Sequence, residues 1–296
     1  MARFTQYRVF AAAVETGSIS QAAERLNLTP GAVSKQISAL ESQLGVQLFE
    51  RSNRNITVTS PGQQFYQRCR QILQEVTNAE DELKAAQGAL TGTLRLTLSK
   101  SLLRSEIFRH LAQFSIAFPE VRFDLRISEA VEDLHTNNLD FAFRIGQLPD
   151  HSRLVAIPLC QVRPLFCATP GYLEQRGCPQ DYSELHKHTL VLLPAEQLSD
   201  QVRQFFKRQH IDFNGREQHR VDDIEAGYQM MMAGMGIGMM LDCAVQNELR
   251  EGTLQGLFQQ TPAPAKTLYL IYRKSAYQQL KQQSFKTFIR QAFNIE

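Results

Sequence analysis

"SISQAAERLNLTPGAVSKQISALESQLGVQLFERSNRNITVT", Ser18 to Thr59, is the stretch whose reading decides the fold. Ser18 suits the N-cap of a short helix, and Gln21, three residues on, fits a capping box. Ala22, Ala23 and Leu26 give that helix a small-residue face that lets another helix cross close by. Asn27 and Leu28 make a turn. Thr29 then caps a further helix, with Pro30 at its first position, where the missing N–H costs nothing. Val33, Ile37, Leu40 and Leu44 recur at helical spacing and predict a buried stripe. Gly31, Ser34, Lys35 and Ser38 fall on the opposite face: short donors and acceptors with one cation. Such a face suits the ~12 Å wide major groove of DNA, and taken alone suits a solvated surface equally well. Gly45 ends the helix. Phe49-Glu50-Arg51 and Ile56-Thr57-Val58 then predict a hairpin around Ser52–Asn55. Arg51 flanks it and Arg54 stands at its tip, where a narrow minor groove attracts arginine.

Upstream, Phe4 to about Thr16 reads as a helix with Phe10, Ala11 and Val14 inward, closed by Gly17. Two tight helices, a polar third helix and a basic hairpin together are far more specific than any one part. The stretch from Ser18 to Gly62 resembles the winged helix-turn-helix of LysR-type transcriptional regulators. The matching features are Ala22-Ala23, Leu26, Val33-Ser34-Lys35-Gln36-Ile37, Leu40-Glu41, Leu44-Gly45, Leu48-Phe49-Glu50-Arg51 and Thr59 to Gly62. Gly31 stands where serine, alanine or proline is more usual in that family. The resemblance extends more loosely over the whole chain.

The global numbers agree with a multi-domain protein. There are 296 residues, a formal charge of +2 and 43% hydrophobic residues, enough for real cores and without a polybasic tail. The N-terminus lacks the pattern of a signal peptide, and no apolar run approaches the ~20 residues of a membrane span. The five cysteines are scattered without a C-x-x-C pair, which favours a reducing cytoplasm, and no metal-ligand spacing appears among the histidines.

Ser60, Pro61 and Gln63 read as a second capping box opening a long helix. Phe65, Cys69, Ile72, Val76, Ala79, Leu83, Ala86 and Leu90 then alternate steps of four and three, a heptad seam that predicts pairing with a second copy. The family resemblance implies the same: linker helices pair, place two heads on an inverted-repeat operator, and assemble as dimers of dimers. RNA polymerase is a further candidate partner.

From Thr93 onward strands and helices alternate, which argues for parallel sheets flanked by helices. Strands are expected at 93–99, 123–127, 141–145, 154–159, 165–169, 190–193, 219–221, 237–241 and 267–272. Helices are expected at 102–118, near 200–209, from 223, and at 277–293. The order suggests two lobes crossed twice by the chain, as in periplasmic binding proteins. The expected division is 1–60 winged helix-turn-helix, 61–90 linker helix and 91–296 effector domain. Within the last, lobe I spans about 91–162 and 266–296, and lobe II about 163–265.

In open α/β sheets, ligands sit beyond the carboxyl ends of the strands. Ser99-Lys100-Ser101, ahead of a helix, and Arg144-Ile145-Gly146, at a strand end, mark one lobe; Pro194, Asp222 and Asp223 mark the other. Hydroxyls, helix N–H groups and cations converging there would favour an anionic small molecule. Plainer readings stand beside each: Ser101 and Asp223 as helix caps, Arg144 as an ion-pair partner. Apart from Met1, every methionine lies in Met230–Met240, which reads as an adaptable core, a pliable pocket or an oxidation sensor. Gly234-x-Gly236-x-Gly238 precedes a strand, whereas a dinucleotide loop follows one.

The expectation is a cytoplasmic DNA-binding regulator that answers a small-molecule effector, without cofactor or metal. The alternative is a thiol- or thioether-based redox regulator on the same scaffold. An enzyme is disfavoured because no nucleophile–base spacing or cofactor loop is present.

Overall fold

Local capping chemistry starts and stops the N-terminal helices α1 (Ala2–Thr16), α2 (Ile19–Leu26) and α3 (Pro30–Leu44). Ser18 Oγ accepts from the Gln21 amide at 3.4 Å. The Ser18 N–H itself goes to Thr16 Oγ1, so Thr16 supplies the arm of the capping box expected from Gln21. Asn27 turns the chain in the left-handed region at φ 54°, and Thr29 Oγ1 accepts from Ala32 N at 3.2 Å. The computed structural model describes residues 2–51, 56–85, 90–129, 134, 137–146, 153–192, 200–209, 218–274 and 279–295. The chain divides into two units, one built mainly from Met1–Gly92 and the other from the chain after it.

In the first unit Val33, Ile37 and Leu40 seal α3 against Phe10, Ala13, Ala22 and Ala23. Leu44, expected in that stripe, is 42% exposed, because the last turn of α3 runs past the core before Gly45 ends it. Strands β1 (Phe49–Arg51) and β2 (Ile56–Val58) pair antiparallel with Phe49 opposite Val58, in the register expected of the wing. Helix α4 (Ser60–Ala85) is capped by Thr59 rather than Ser60: Thr59 Oγ1 accepts from Gly62 N at 3.0 Å and donates to Gln47 O at 2.8 Å.

The seam expected along α4 divides in two. Phe65 packs on Tyr7 and Phe10, with ring centroids 5.6 and 5.5 Å apart, and Cys69 is fully buried in the same core. A heptad pattern reports an apolar stripe and not its partner, and here the first two turns of the stripe close on α1. Ile72, Val76 and Leu83 remain exposed, at 44, 38 and 72%, as does Ala79; Leu90 lies beyond the helix.

The second unit follows the expected strand–helix order as β3 (Gly92–Leu98), α5 (Ile107–Ala117), β4 (Val121–Ile127), β5 (Phe141–Ile145) and β6 (Leu154–Val162). Lobe II adds β7 (Pro164–Ala168), α6 (Pro170–Arg176), β8 (Leu190–Leu192), α7 (Asp200–Arg208) and β9 (Gln218–Arg220). It continues with α8 (Ile224–Met232), β10 (Ile237–Leu241), α9 (Gln246–Glu251) and β11 (Gln255–Gly256). The chain returns to lobe I with β12 (Lys266–Arg273) and α10 (Leu280–Ala292). The sheets are ordered β4-β3-β5-β12-β6 and β11-β7-β10-β8-β9.

Both sheets are mixed rather than parallel. β3 runs parallel to β5, but the returning β12 is antiparallel to β5 and β6; β10 is parallel to β8 and antiparallel to β7. A long first helix over 102–118 does not form: Lys100–Leu102 is a 3-10 turn, and α5 begins only at Ile107. Core contacts include Phe285 against Phe114 and Phe141, at 5.2 and 5.1 Å. Met231 and Met240 are buried, with Cys167 Sγ 3.4 Å from Met231 Sδ, so these two methionines are core. A Cβ at Gly236 would fall 2.5 Å from Thr189 O, and one at Gly238 2.7 Å from Met231 Sδ, so this glycine run serves close packing.

Gly62 carries a comparable constraint in the first unit, since a Cβ there would fall 2.2 Å from Leu48 O. Alanine is intrinsically the better helix former, by about 1 kcal/mol. Gly62→Ala is nevertheless expected to destabilise the N-terminal unit by roughly 1–3 kcal/mol, because steric overlap with a fixed carbonyl wins. Chemical denaturation of the full chain checks this, and an unchanged or raised midpoint would remove the close approach from the argument.

Candidate functional site

On α3 the N-terminal turns present an open polar face. Thr29, Pro30, Gly31 and Lys35 are exposed, and Ser34 and Ser38 are half-buried beside them, opposite the sealed stripe of Val33, Ile37 and Leu40. Short side chains at the start of a helix leave its backbone free to approach a flat or grooved partner closely. At the start of α2, Gln21 is exposed and Ser18 is half-buried. Arg51 ends β1, and Arg54 lies outside the described residues.

One carboxylate sets the wing against this helix. Glu41 Oε1, from the C-terminal half of α3, accepts from Leu48 N at 2.8 Å and from Phe49 N at 3.1 Å. Charge-assisted bonds to backbone amides are among the stronger hydrogen bonds. Glu15 of α1 bridges Arg25 of α2 at 2.7 Å and accepts from Tyr66 OH of α4 at 3.1 Å. Glu41 thus joins α3 to the hairpin, and Glu15 joins α1 to α2 and α4. Glu41 appeared in the sequence only as part of a motif; its role needed the two amides that it meets seven and eight residues later.

In the second unit the strand ends gather differently from expectation. Ser99 Oγ and Ser101 Oγ share a hydrogen bond of 3.0 Å, so Ser101 is not the cap of an α-helix. The Lys100 N–H is taken by Glu129 at 2.6 Å, and Lys100 Nζ by Asp223 Oδ2 at 2.5 Å. Hydrogen bonding to Asp223, and its charge, push the Lys100 pKa up, while Lys100 holds the Asp223 carboxyl below the usual range. Asp223 also caps α8, its Oδ1 accepting from Glu225 N at 2.9 Å and Ala226 N at 3.3 Å. Arg144 is 8% exposed and donates to Thr97 Oγ1 and Phe143 O, both at 3.0 Å.

The expected convergence of free N–H groups and two cations is therefore not what these residues form: their donors are engaged by the chain itself. Gly146 turns at φ 86° beyond the half-buried Ile145, Asp222 is exposed, and Pro194 lies outside the described residues. Sequence reasoning missed Arg104. It contacts Glu225 and Glu248, 121 and 144 residues later, and no local pattern announces such partners.

The comparisons with known proteins bear on both units. Residues 4–63 match the family model for the bacterial regulatory helix-turn-helix protein, lysR family, and residues 87–294 match the LysR substrate binding domain. The chain belongs to the LysR family. Among its LysR relatives, HTH-type transcriptional activator AaeR of Escherichia coli K12 is 30% identical over 278 residues, covering 91% of this chain and 88% of AaeR. HTH-type transcriptional regulator CrgA of Neisseria meningitidis serogroup C is 32% identical over 246 residues, covering 83% and 82%. The solved structure of Neisseria meningitidis CrgA superposes with a TM-score of 0.58 at 29% identity, covering 98% of each chain. CbnR, solved in complex with its target DNA, gives 0.69 at 22% identity, covering 98% of this chain and 99% of CbnR, a likeness of fold. This LysR-family chain is thus a DNA-binding transcriptional regulator with an effector-binding domain.

The thiols give little support to a redox reading. Burial pushes the Cys69 thiol up to about 12, and burial is also the main cause that takes Cys167 and Cys243 there. A reactive cysteine needs the thiolate near neutral pH. Cys178 is exposed on lobe II, with Gln255 Nε2 3.8 Å from its sulfur.

Glu41→Ala is expected to reduce operator affinity as well as stability, because Leu48 and Phe49 lose a shared charged acceptor. A loss of about 1–3 kcal/mol in stability fits removal of a partly buried acceptor. Glu41→Gln, which keeps one acceptor oxygen, should lose less. Titration of the variants with operator DNA, alongside denaturation, measures both effects. Equal affinities for all three proteins would show that the wing is placed by other contacts.

Proposed function

We propose that the polar face of α3 reads the major groove of an inverted-repeat operator. Pro30, Gly31, Ser34 and Ser38 approach the base edges, with Lys35 and the wing arginines Arg51 and Arg54 supplying charge to the backbone and the minor groove. Ser18, Gln21 and Thr29 place their helix starts against phosphates. The observation that carries this reading is the division of α3 into one face sealed in the core and one left open with short polar groups and a cation. Phosphate contacts position a protein on DNA, and base contacts specify its site.

The chain acts in the cytoplasm as a homo-oligomer rather than as an enzyme. We divide it at the boundaries expected from the sequence, 1–60, 61–90 and 91–296. Ile72, Val76, Ala79 and Leu83 form the pairing stripe of the linker helix, Phe65 and Cys69 being committed to their own domain. A small molecule enters the effector domain at the strand ends marked by Ser99, Ser101, Arg144 to Gly146 and Asp222. Since Lys100 is already paired, an anionic guest reaches it only by exchange with Asp223.

Lys35→Ala and Arg54→Ala should each weaken operator binding and lower the slope of log affinity against log salt by about one, as loss of one phosphate contact does. Ser34→Ala should instead change the preference among operator sequences with the slope retained. Fluorescence anisotropy titrations at several salt concentrations read both quantities. Unaltered affinity in both charge variants would overturn the assignment of this face.

Ile72→Asp and Leu83→Asp place charges in the proposed pairing stripe, where burial of an unpaired carboxylate costs several kcal/mol. Sedimentation velocity should show both variants dissociated at concentrations where the native chain is dimeric. An intact dimer for both would mean that the linker stripe is not the pairing surface.

A further inference from the structure

Lys100 and Arg104 both leave lobe I on the segment between β3 and α5, and both find their charged partners on lobe II. The 3-10 turn that carries Lys100 packs on α8 and on the turn at Asp242–Ala244. We propose that residues 100–104 are a clasp that holds the two lobes together, with Arg104 as its pivot and Lys100 as its releasable arm.

The Arg104 arm combines two carboxylates and an aromatic ring. Its Nη2 lies 2.5 Å from Glu248 Oε1 and its Nη1 3.4 Å from Glu225 Oε1. The guanidinium carbon sits 3.5 Å from the centre of the Tyr228 ring, and Tyr228 OH donates at 2.8 Å to the same Glu248 oxygen that Arg104 holds. A planar, delocalised cation stacks on an aromatic face and grips a carboxylate at once, which lysine does not. Glu248 is only 12% exposed and Arg104 29%, so the Arg104–Glu248 bond is less screened by salt than a surface pair.

The Lys100 arm differs in two respects. Lys100 and Asp223 are 48 and 35% exposed, so the pair is screened and weak. Asp223 also divides its oxygens, Oδ1 capping α8 while Oδ2 holds Lys100. Lys100 is therefore able to leave without uncapping the helix. Arg104 Nε, by contrast, is buried without a hydrogen-bond partner among the described residues. Opening the lobes returns that bond to water, which limits how firmly the clasp is shut. The assignment is independent of the identity of the ligand and of the DNA reading.

Hydrogen–deuterium exchange on the full-length protein tests it, read at two places: the hydrogen-bonded amides of Leu102, Leu103 and Ser105 on lobe I, and those of α8 on lobe II. Arg104→Met should speed exchange about tenfold at both, as loss of a charged hydrogen bond that gates a local opening does. Lys100→Met should speed it less, by about threefold, and the difference from native should vanish in high salt. Arg104→Met combined with Glu248→Gln should exchange within about twofold of Arg104→Met alone, since both remove one interaction. Tyr228→Phe keeps the ring and removes only the hydroxyl; it should move both segments in the same direction, and it serves if the arginine variant does not fold. Acceleration confined to α8 would reduce Arg104 to a local support of that helix, and native exchange in all variants would show that no clasp exists. Either result overturns the proposal.

Discussion

The peptide of Leu48 is where the DNA-binding half of this protein is held together. Its N–H goes to Glu41 of α3, its carbonyl accepts from Thr59 N at 3.0 Å, and Gly62 of α4 presses against that same carbonyl. The Leu48 side chain meanwhile lies in the core shared by α1, α2 and α3. One residue thus ties α3, the β1–β2 hairpin and α4, and each tie uses a different physical means: a charged acceptor, a backbone hydrogen bond and a close steric approach. Hydrogen bonds of this kind are directional and close-packed contacts are short-ranged, so together they leave little freedom of angle.

Most of the N-terminal unit was legible in the sequence because its determinants are local. Thr29 and Pro30 set the start of α3, Asn27 turns the chain before it, and the wing pairs in the anticipated register. What failed there concerned range. Leu44 belongs to the helical period but not to the core, since periodicity does not report where the neighbouring helices stop. Phe65 and Cys69 belong to the heptad pattern but bury against α1, since an apolar stripe is equally content with its own domain or another chain.

The effector half was legible in its order of elements and less so in its site. The antiparallel return of β12 makes the sheets mixed, and only the pairing with β5 and β6 shows it. The strand-end residues were expected to offer their polar groups to a guest, and the structure shows Lys100 and Arg144 engaged with groups of the chain itself. Lys100 meets Asp223, and Arg104 meets Glu248 and Tyr228, across separations at which composition and spacing carry no information. Charged groups with protein partners behave differently from free ones: a guest at Lys100 is weighed against a carboxylate already in place, not against water.

The burial of Cys69 has a mechanical consequence for the linker. Because α4 is part of the head's core up to that residue, it leaves the head as a spoke fixed at its hub. The remaining span to Ala85 runs about 24 Å further at ~1.5 Å per residue. Each residue added to or removed from that span would turn the later part of the exposed stripe on α4 by ~100° about the helix axis. Length changes in this part of the chain are thus tolerable chiefly in steps of seven, which return the spoke to nearly its original bearing.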